Sequence, residues 1–199
     1  MQACVTKYEE FSYFDLAISA HINTGTTITR AGIVPYTLHP ITKELYLLFG
    51  IDSRSQDISD LAGSVKTEIN ENIIVAALRE FDEETRRIFG IDILSQIRKV
   101  AWCTCFIYKN SITIFVPIKE EWCLIAESAF IRTKNIVLSR EEEEMSDLLW
   151  LSFRTLSKIC KGGKVGRSRM WRRIRKVFSS SIKKDLKTHL YNYLQPPVF

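Results

Sequence analysis

The chain has 199 residues, 46% of them hydrophobic and 26% charged, with a formal net charge of +5. That is ordinary globular composition, long enough for one domain with or without an extension. No window approaches 18 apolar residues, which excludes a transmembrane helix. The start, Met1-Gln2-Ala3-Cys4-Val5, has no basic stretch followed by an apolar run, so no secretory leader is expected. Five cysteines without a Cys-x-x-Cys pair read as reduced core residues, Cys103 and Cys105 sharing a strand face, in a reducing compartment such as the cytoplasm, a host's included.

The charge is unevenly spread. From Arg154 to Lys187 there are thirteen Lys/Arg and one acid, Asp185, so this stretch carries +12 and the rest of the chain −7. An acidic body with a basic tail points to a polyanionic partner for the tail.

In chain order, residues 7–30 give no functional reading. Residues 31–36 read as a strand, His39-Pro40-Ile41-Thr42 as a turn and residues 44–50 as a second, buried strand, together a hairpin. Residues 51–70 read as a polar loop with small residues that leads into a helix. Asn70 or Asn72 would cap that helix, and Gly90 would end it. Residues 97–108 and 111–118 read as a strand pair around Lys109-Asn110, and residues 121–130 as a short helix. The acidic run Glu141–Glu144 then precedes a strand at 148–151. From Thr155 the chain turns helical and basic, with a last helix from about Ser168 towards Tyr193. Trp171, Ile174, Val177 and Phe178 would pack inward, leaving Arg172, Arg173 and Arg175 outward for a phosphate backbone. Trp102, Trp122 and Trp150 read as core residues, and His21, His39 and His189 as surface or structural ones.

The stretch that bears most on function is Arg79-Glu80-Phe81-Asp82-Glu83-Glu84. At about 100° per residue, Ile74, Ala77, Leu78, Phe81, Thr85 and Ile88 fall within roughly 60° of one line, a buried stripe. Glu80, Glu83 and Glu84 lie together beside that stripe, between roughly 180° and 280°. Three carboxylates on one face repel one another. A divalent cation held by oxygen ligands makes such a cluster favourable.

Gly63, then Glu71, seven residues, and Arg79-Glu80-Phe81-Asp82-Glu83-Glu84 resembles the Nudix box: Gly, five residues, Glu, seven residues, Arg-Glu, an apolar residue, any residue, Glu-Glu, any residue, Gly, an apolar residue. The hairpin before it and the acidic run leading into Leu148-Leu149-Trp150-Leu151 resemble the flanks of that fold, over roughly residues 30–160. The wording of these flanks is similar to Nudix proteins of large DNA viruses, some of which are mRNA-decapping enzymes. Two departures stand out. Gly63 lies two residues too far from Glu71, which leaves an insertion or a different loop residue in its role, and Arg86 and Arg87 replace the glycine and the apolar residue after the paired glutamates, which would extend the helix to Gly90.

The resemblance implies an α/β/α sandwich with a mixed central sheet, a Nudix domain over 1–155 with its box at 63–90, and a basic helical extension over 156–199 packed on it. It implies Mg²⁺ or Mn²⁺ held by Glu80, Glu83 and Glu84, with Arg79 orienting a carboxylate, Glu71 anchoring the loop, and Glu144 or Glu143 completing the site. Lys66 would contact phosphate. The implied activity is hydrolysis of a diphosphate linkage in a nucleoside-diphosphate-X substrate, with capped mRNA favoured because the tail suits a polyanion. The alternatives are a small-nucleotide or nucleotide-sugar pyrophosphatase, and a degenerate Nudix fold that binds RNA or regulates.

Overall fold

Apolar residues line both faces of the central strands, as strands covered by helices on each side require. The computed structural model describes residues 5–8, 11–16, 27–90, 103–133, 136, 143–178 and 182–194. Its strands are β1 (Val5–Tyr8), β2 (Phe11–Leu16), β3 (Arg30–Leu38), β4 (Leu45–Asp52), β5 (Ile58–Ser59), β6 (Leu61–Ser64), β7 (Cys103–Tyr108), β8 (Ser111–Pro117) and β9 (Met145–Ser152). They form one sheet of order β1-β2-β7-β8-β3-β4-β5, with β6 paired to β3 and β9 to β4. The β3–β8 pair is parallel and the other described pairs are antiparallel, so the sheet is mixed.

Helices cover both faces. On one, α1 (Ile73–Glu84) and α2 (Trp122–Arg132) contribute Ala77, Leu78, Phe81, Ala126 and Phe130 to a core shared with Ala31, Ile33, Leu48, Ile112 and Ile114. On the other, α3 (Phe153–Ile159), α4 (Arg172–Phe178) and α5 (Ile182–Leu194) contribute Leu156, Ile174, Phe178, Leu186 and Leu190. These pack against Tyr36, Leu47, Phe49 and Phe115. The strand residues of the two cores alternate in sequence, Leu47 and Phe49 facing one layer and Leu48 the other. This is the expected α/β/α sandwich with a mixed sheet. Among the described residues no helix is long and apolar enough to cross a membrane.

Several elements differ from the sequence reading. Residues 7–30, left unassigned by the sequence, supply the end of the edge strand β1, all of its neighbour β2 and the first residue of β3. The stretch 51–70 contains β5 and β6, two short strands whose Ile58, Leu61 and Ala62 are buried among polar neighbours. Helix α1 is capped by Asn72, whose Oδ1 accepts from the Ile74 amide at 2.9 Å, but it ends at Glu84 rather than Gly90. The last helix is two elements, α4 and α5. Its expected first turn is extended instead, because Met170 pairs with Ile58. The Glu141-Glu142 half of the acidic run, Trp102, His21 and positions 97–102 lie outside the described residues.

One buried acid ties these layers together. Asp60 is 1% exposed between β5 and β6. It accepts from Thr113 Oγ1 of β8 at 2.9 Å and from Arg173 Nη2 of α4, with Arg30 Nη2 of β3 at 3.6 Å. Burial alone would raise its pKa, but Arg173, Arg30 and Thr113 outweigh it and hold the carboxyl below the usual aspartate value. Its contribution is therefore present above the unfolded pKa of about 3.9 and is lost as pH falls through the lower folded value. Replacing Asp60 with Ala strands two guanidinium groups in the fold. We expect a loss of about 3–5 kcal/mol in urea denaturation, with the transition slope unchanged.

Candidate functional site

The loop between β6 and α1 is drawn against the helix by one arginine. Arg79 donates from Nε to Glu71 Oε1 at 2.9 Å and from Nη2 to Glu71 Oε2 at 3.1 Å, a bidentate pair. Its Nη2 also reaches the Ser64 carbonyl at 2.9 Å, and its Nη1 reaches Glu80 Oε1 at 2.7 Å and Glu83 Oε2 at 3.2 Å. Glu71 accepts in addition from the Lys66 amide at 2.9 Å. The hydrogen bond to Glu71, followed by Glu80, raises the Arg79 pKa further, and the same contact lowers that of Glu71.

The three carboxylates of α1 differ in exposure. The side chain of Glu83 is 24% exposed and that of Glu80 13%, while Glu84 is only 2% exposed. Burial raises the Glu80 pKa; Arg79 opposes it, and Glu83 and Glu144 add to it. Glu84 is pushed well above the usual glutamate range, chiefly by burial, with Asp60 and Glu80 adding and Arg30 opposing. Glu84 accepts a hydrogen bond from the Ala62 backbone, yet its Oε2 is buried without a hydrogen-bond partner among the described residues.

Gly63 stands where the sequence spacing left its role open. A Cβ placed on it would run into the Glu80 carboxylate and displace it, so glycine at this point of β6 leaves that side chain in place. β6 ends at Ser64, and the chain turns at Thr67–Ile69 before entering α1. Arg86 likewise adopts the backbone that favours glycine, with φ 53°, and Arg87 follows at 57°. Rather than extending the helix, Arg86 turns the chain. It is anchored by Nη2 to the Met145 carbonyl at 2.9 Å, by Nη1 to Thr133 Oγ1 at 3.2 Å, and over the Phe130 ring at 4.1 Å.

Glu80, Glu83, Glu84, Arg79, Gly63, Lys66 and Glu144 all border one cleft of about 630 Å³. Glu144 is exposed at its edge, and its carbonyl accepts from the Ser53 amide at 2.8 Å. Lys66 is exposed on the wall. Arg172 and Arg175 are exposed on α4 outside the cleft lining. Arg173 departs from the outward position expected for it: it is committed to Asp60 and lies 4.7 Å from the Trp171 ring centroid. Sequence reading also missed Arg30, Asp60 and Trp171. Arg30 lines the cleft and donates to the Ala62 carbonyl, and Asp60 holds Arg30 and Arg173 from beneath. No local sequence signal singles out this network: Asp60 stands in a polar stretch, and its burial arises only in the folded chain.

Among the described residues no three acidic, histidine or cysteine side chains already converge as a metal-binding group, and Glu80 and Glu83 each lend an oxygen to Arg79. The donors nevertheless suit a hard divalent cation. They are all carboxylate oxygens on adjacent turns of one helix face, and the buried Glu84 oxygen lacks a partner. Burying Glu84 uncompensated is costly, and a cation on that oxygen removes the cost.

For the metal-free protein the raised Glu84 and Glu80 pKa values give a definite sign. The folded state binds these protons more tightly than the unfolded chain, so stability falls as pH rises from the unfolded value of about 4.3 through the raised folded values. Glu84→Gln is expected to flatten that decline above about pH 4.3 to less than half its wild-type slope, read as melting temperature against pH in chelator.

No protein-family model matches the chain. No curated protein matches it. Among solved structures it is similar to the crystal structure of the C. elegans Ap4A hydrolase, at 12% identity and a TM-score of 0.40, over 83% of this chain and 99% of that one.

Proposed function

We propose that the protein is a divalent-metal-dependent hydrolase of the Nudix type. It would cleave a diphosphate linkage in a nucleoside-diphosphate-X substrate, with capped RNA as the favoured substrate. The observation that carries this reading is Glu84, a buried carboxylate with an unpartnered oxygen, set beside Glu80 and Glu83 at the floor of a cleft. A helix face meant only for water leaves its acids exposed and mixes their charges.

Glu80, Glu83 and Glu84 would hold Mg²⁺ or Mn²⁺, with Glu144 at the rim. Bound there, the metal would supply charge neutralisation on the phosphates and a lowered pKa for water. Arg79 fixes the orientation of Glu80 and Glu83 and binds the loop that carries Lys66. Lys66 and Arg30 place positive charge on the cleft wall for the phosphates. Glu144, exposed at the rim, would accept a proton at its carboxylate.

RNA is favoured because the basic segment runs up to the cleft. Arg167, Arg169, Arg172 and Arg175 are exposed, and Trp171 among them lines the cleft. A free nucleotide would leave these charges without a partner. They suit the phosphate backbone of a longer substrate.

The test is Mn²⁺-dependent release of a nucleoside diphosphate from cap-labelled RNA. Glu83→Gln combined with Glu84→Gln should lower the rate at least about 100-fold, and Arg79→Lys, which cannot form the bidentate pair, about 10–100-fold. Arg172→Ala with Arg175→Ala should weaken activity on capped RNA but spare free nucleotides, and should reduce the salt slope by about 1–2. Equal rates on free nucleotides and on capped RNA of any length would favour the small-nucleotide reading. Tight RNA binding without hydrolysis under any divalent metal would favour the degenerate, RNA-binding one.

A further inference from the structure

Trp171 is the largest aromatic side chain at the cleft, and it is not packed into the core. It stands three residues before Ile174, at helical spacing with the buried Ile174, Val177 and Phe178, yet it is 42% exposed. The reason is local. Trp171 precedes the first turn of α4, and its chain is still extended against β5: its amide donates to the Ile58 carbonyl at 2.8 Å, and the Ile58 amide donates to the Arg169 carbonyl at 2.7 Å. The helical rotation that buries Ile174 therefore does not apply to it. The indole turns to the cleft, at a wall shared with Ser55 and Asp57.

The ring is also braced. The Arg173 guanidinium lies 4.7 Å and that of Arg30 5.3 Å from its centroid, and both arginines are held by the buried Asp60. The side chain is thus pre-positioned rather than loose, which lowers the entropy lost on binding. The part of the indole that these guanidiniums leave uncovered, on a residue 42% exposed, is a surface for a flat aromatic partner. Asp57 and Ser55, which line the same cleft, offer a carboxylate and a hydroxyl as hydrogen-bonding groups for the edge of such a ring. The cleft volume of about 630 Å³ suits a single nucleotide.

We propose that Trp171 is the stacking platform for a nucleobase of the substrate, with Asp57 and Ser55 facing the base edge. This inference rests on the reading of the cleft as a nucleotide site and specifies which end of the cleft takes the base. Phosphate then lies towards the helix carboxylates, Lys66 and Arg30, and the base lies at the wall formed by β5 and the start of α4. It also gives the C-terminal segment a place in the substrate site itself, apart from any contact its exposed arginines make with RNA.

The test uses the full chain, chelator and AMP or GMP, which contain no diphosphate to hydrolyse. Of the four indole N–H signals in a nitrogen-15 spectrum, the one absent from Trp171→Phe should shift saturably on titration. By calorimetry, Trp171→Ala should weaken nucleotide binding about tenfold or more, and Trp171→Tyr should restore it to within about threefold. The proposal is overturned if the Trp171 signal stays fixed to millimolar nucleotide, or if Trp171→Ala binds as tightly as wild type. Because neither metal nor turnover enters this experiment, binding at Trp171 in a protein without hydrolase activity would uphold the subsite and reject only the proposed reaction.

Discussion

Arg79 lies between a loop and a helix, and its guanidinium is shared by Glu71, Glu80, Glu83 and the Ser64 carbonyl. Without that cation the loop has no ionic hold on α1, and the neighbouring carboxylates of the helix repel one another unopposed. With it, two of the three carboxylates are oriented and the third, Glu84, is left to burial. The site is therefore built with a deficit of positive charge at Glu84. That deficit costs stability in the metal-free protein, and on the proposed reading it would become binding energy when a cation enters. Gly63 belongs to the same constraint, since β6 approaches the helix closely enough that any side chain there would displace Glu80.

The other side of the cleft depends on a second charge arrangement of opposite sign. Asp60 is a single buried carboxylate between two arginines, one from β3 and one from α4. It joins the sheet to the C-terminal helices and steadies Trp171 through Arg30 and Arg173. The basic segment is thus not a loose appendage. Its helices α4 and α5 form part of the second layer of the sandwich, with Ile174, Phe178, Leu186 and Leu190 fully or almost fully buried. Removing it would expose one face of the sheet, so its role in binding is better probed by exchanging exposed arginines than by truncation.

Much of this was legible in the sequence because it depends on period and type. The helix stripe through Ala77, Leu78 and Phe81, the hairpin before it and the strand pair around Lys109-Asn110 follow from spacing alone. So does the gathering of Glu80, Glu83 and Glu84 beside the stripe. What escaped depends on contacts between distant segments. Nothing local marks Asp60 as the partner of Arg173, 113 residues away. Nor does local sequence show that Met170 pairs with Ile58 and so holds Trp171 out of the helix. Arg86 misled for a related reason. Lost glycine suggested a longer helix, whereas the arginine accepts the left-handed backbone because Met145, Thr133 and Phe130 hold its side chain.

The central claim is that the Arg79-braced carboxylate face of α1 is a divalent-cation site. Anomalous diffraction from crystals grown with Mn²⁺ tests it most directly. A manganese peak coordinated by carboxylate oxygens of Glu80, Glu83 and Glu84 is expected, with Arg79 still bound to Glu71. A map with no peak at these carboxylates under saturating Mn²⁺, or with manganese bound only elsewhere on the protein, would contradict it.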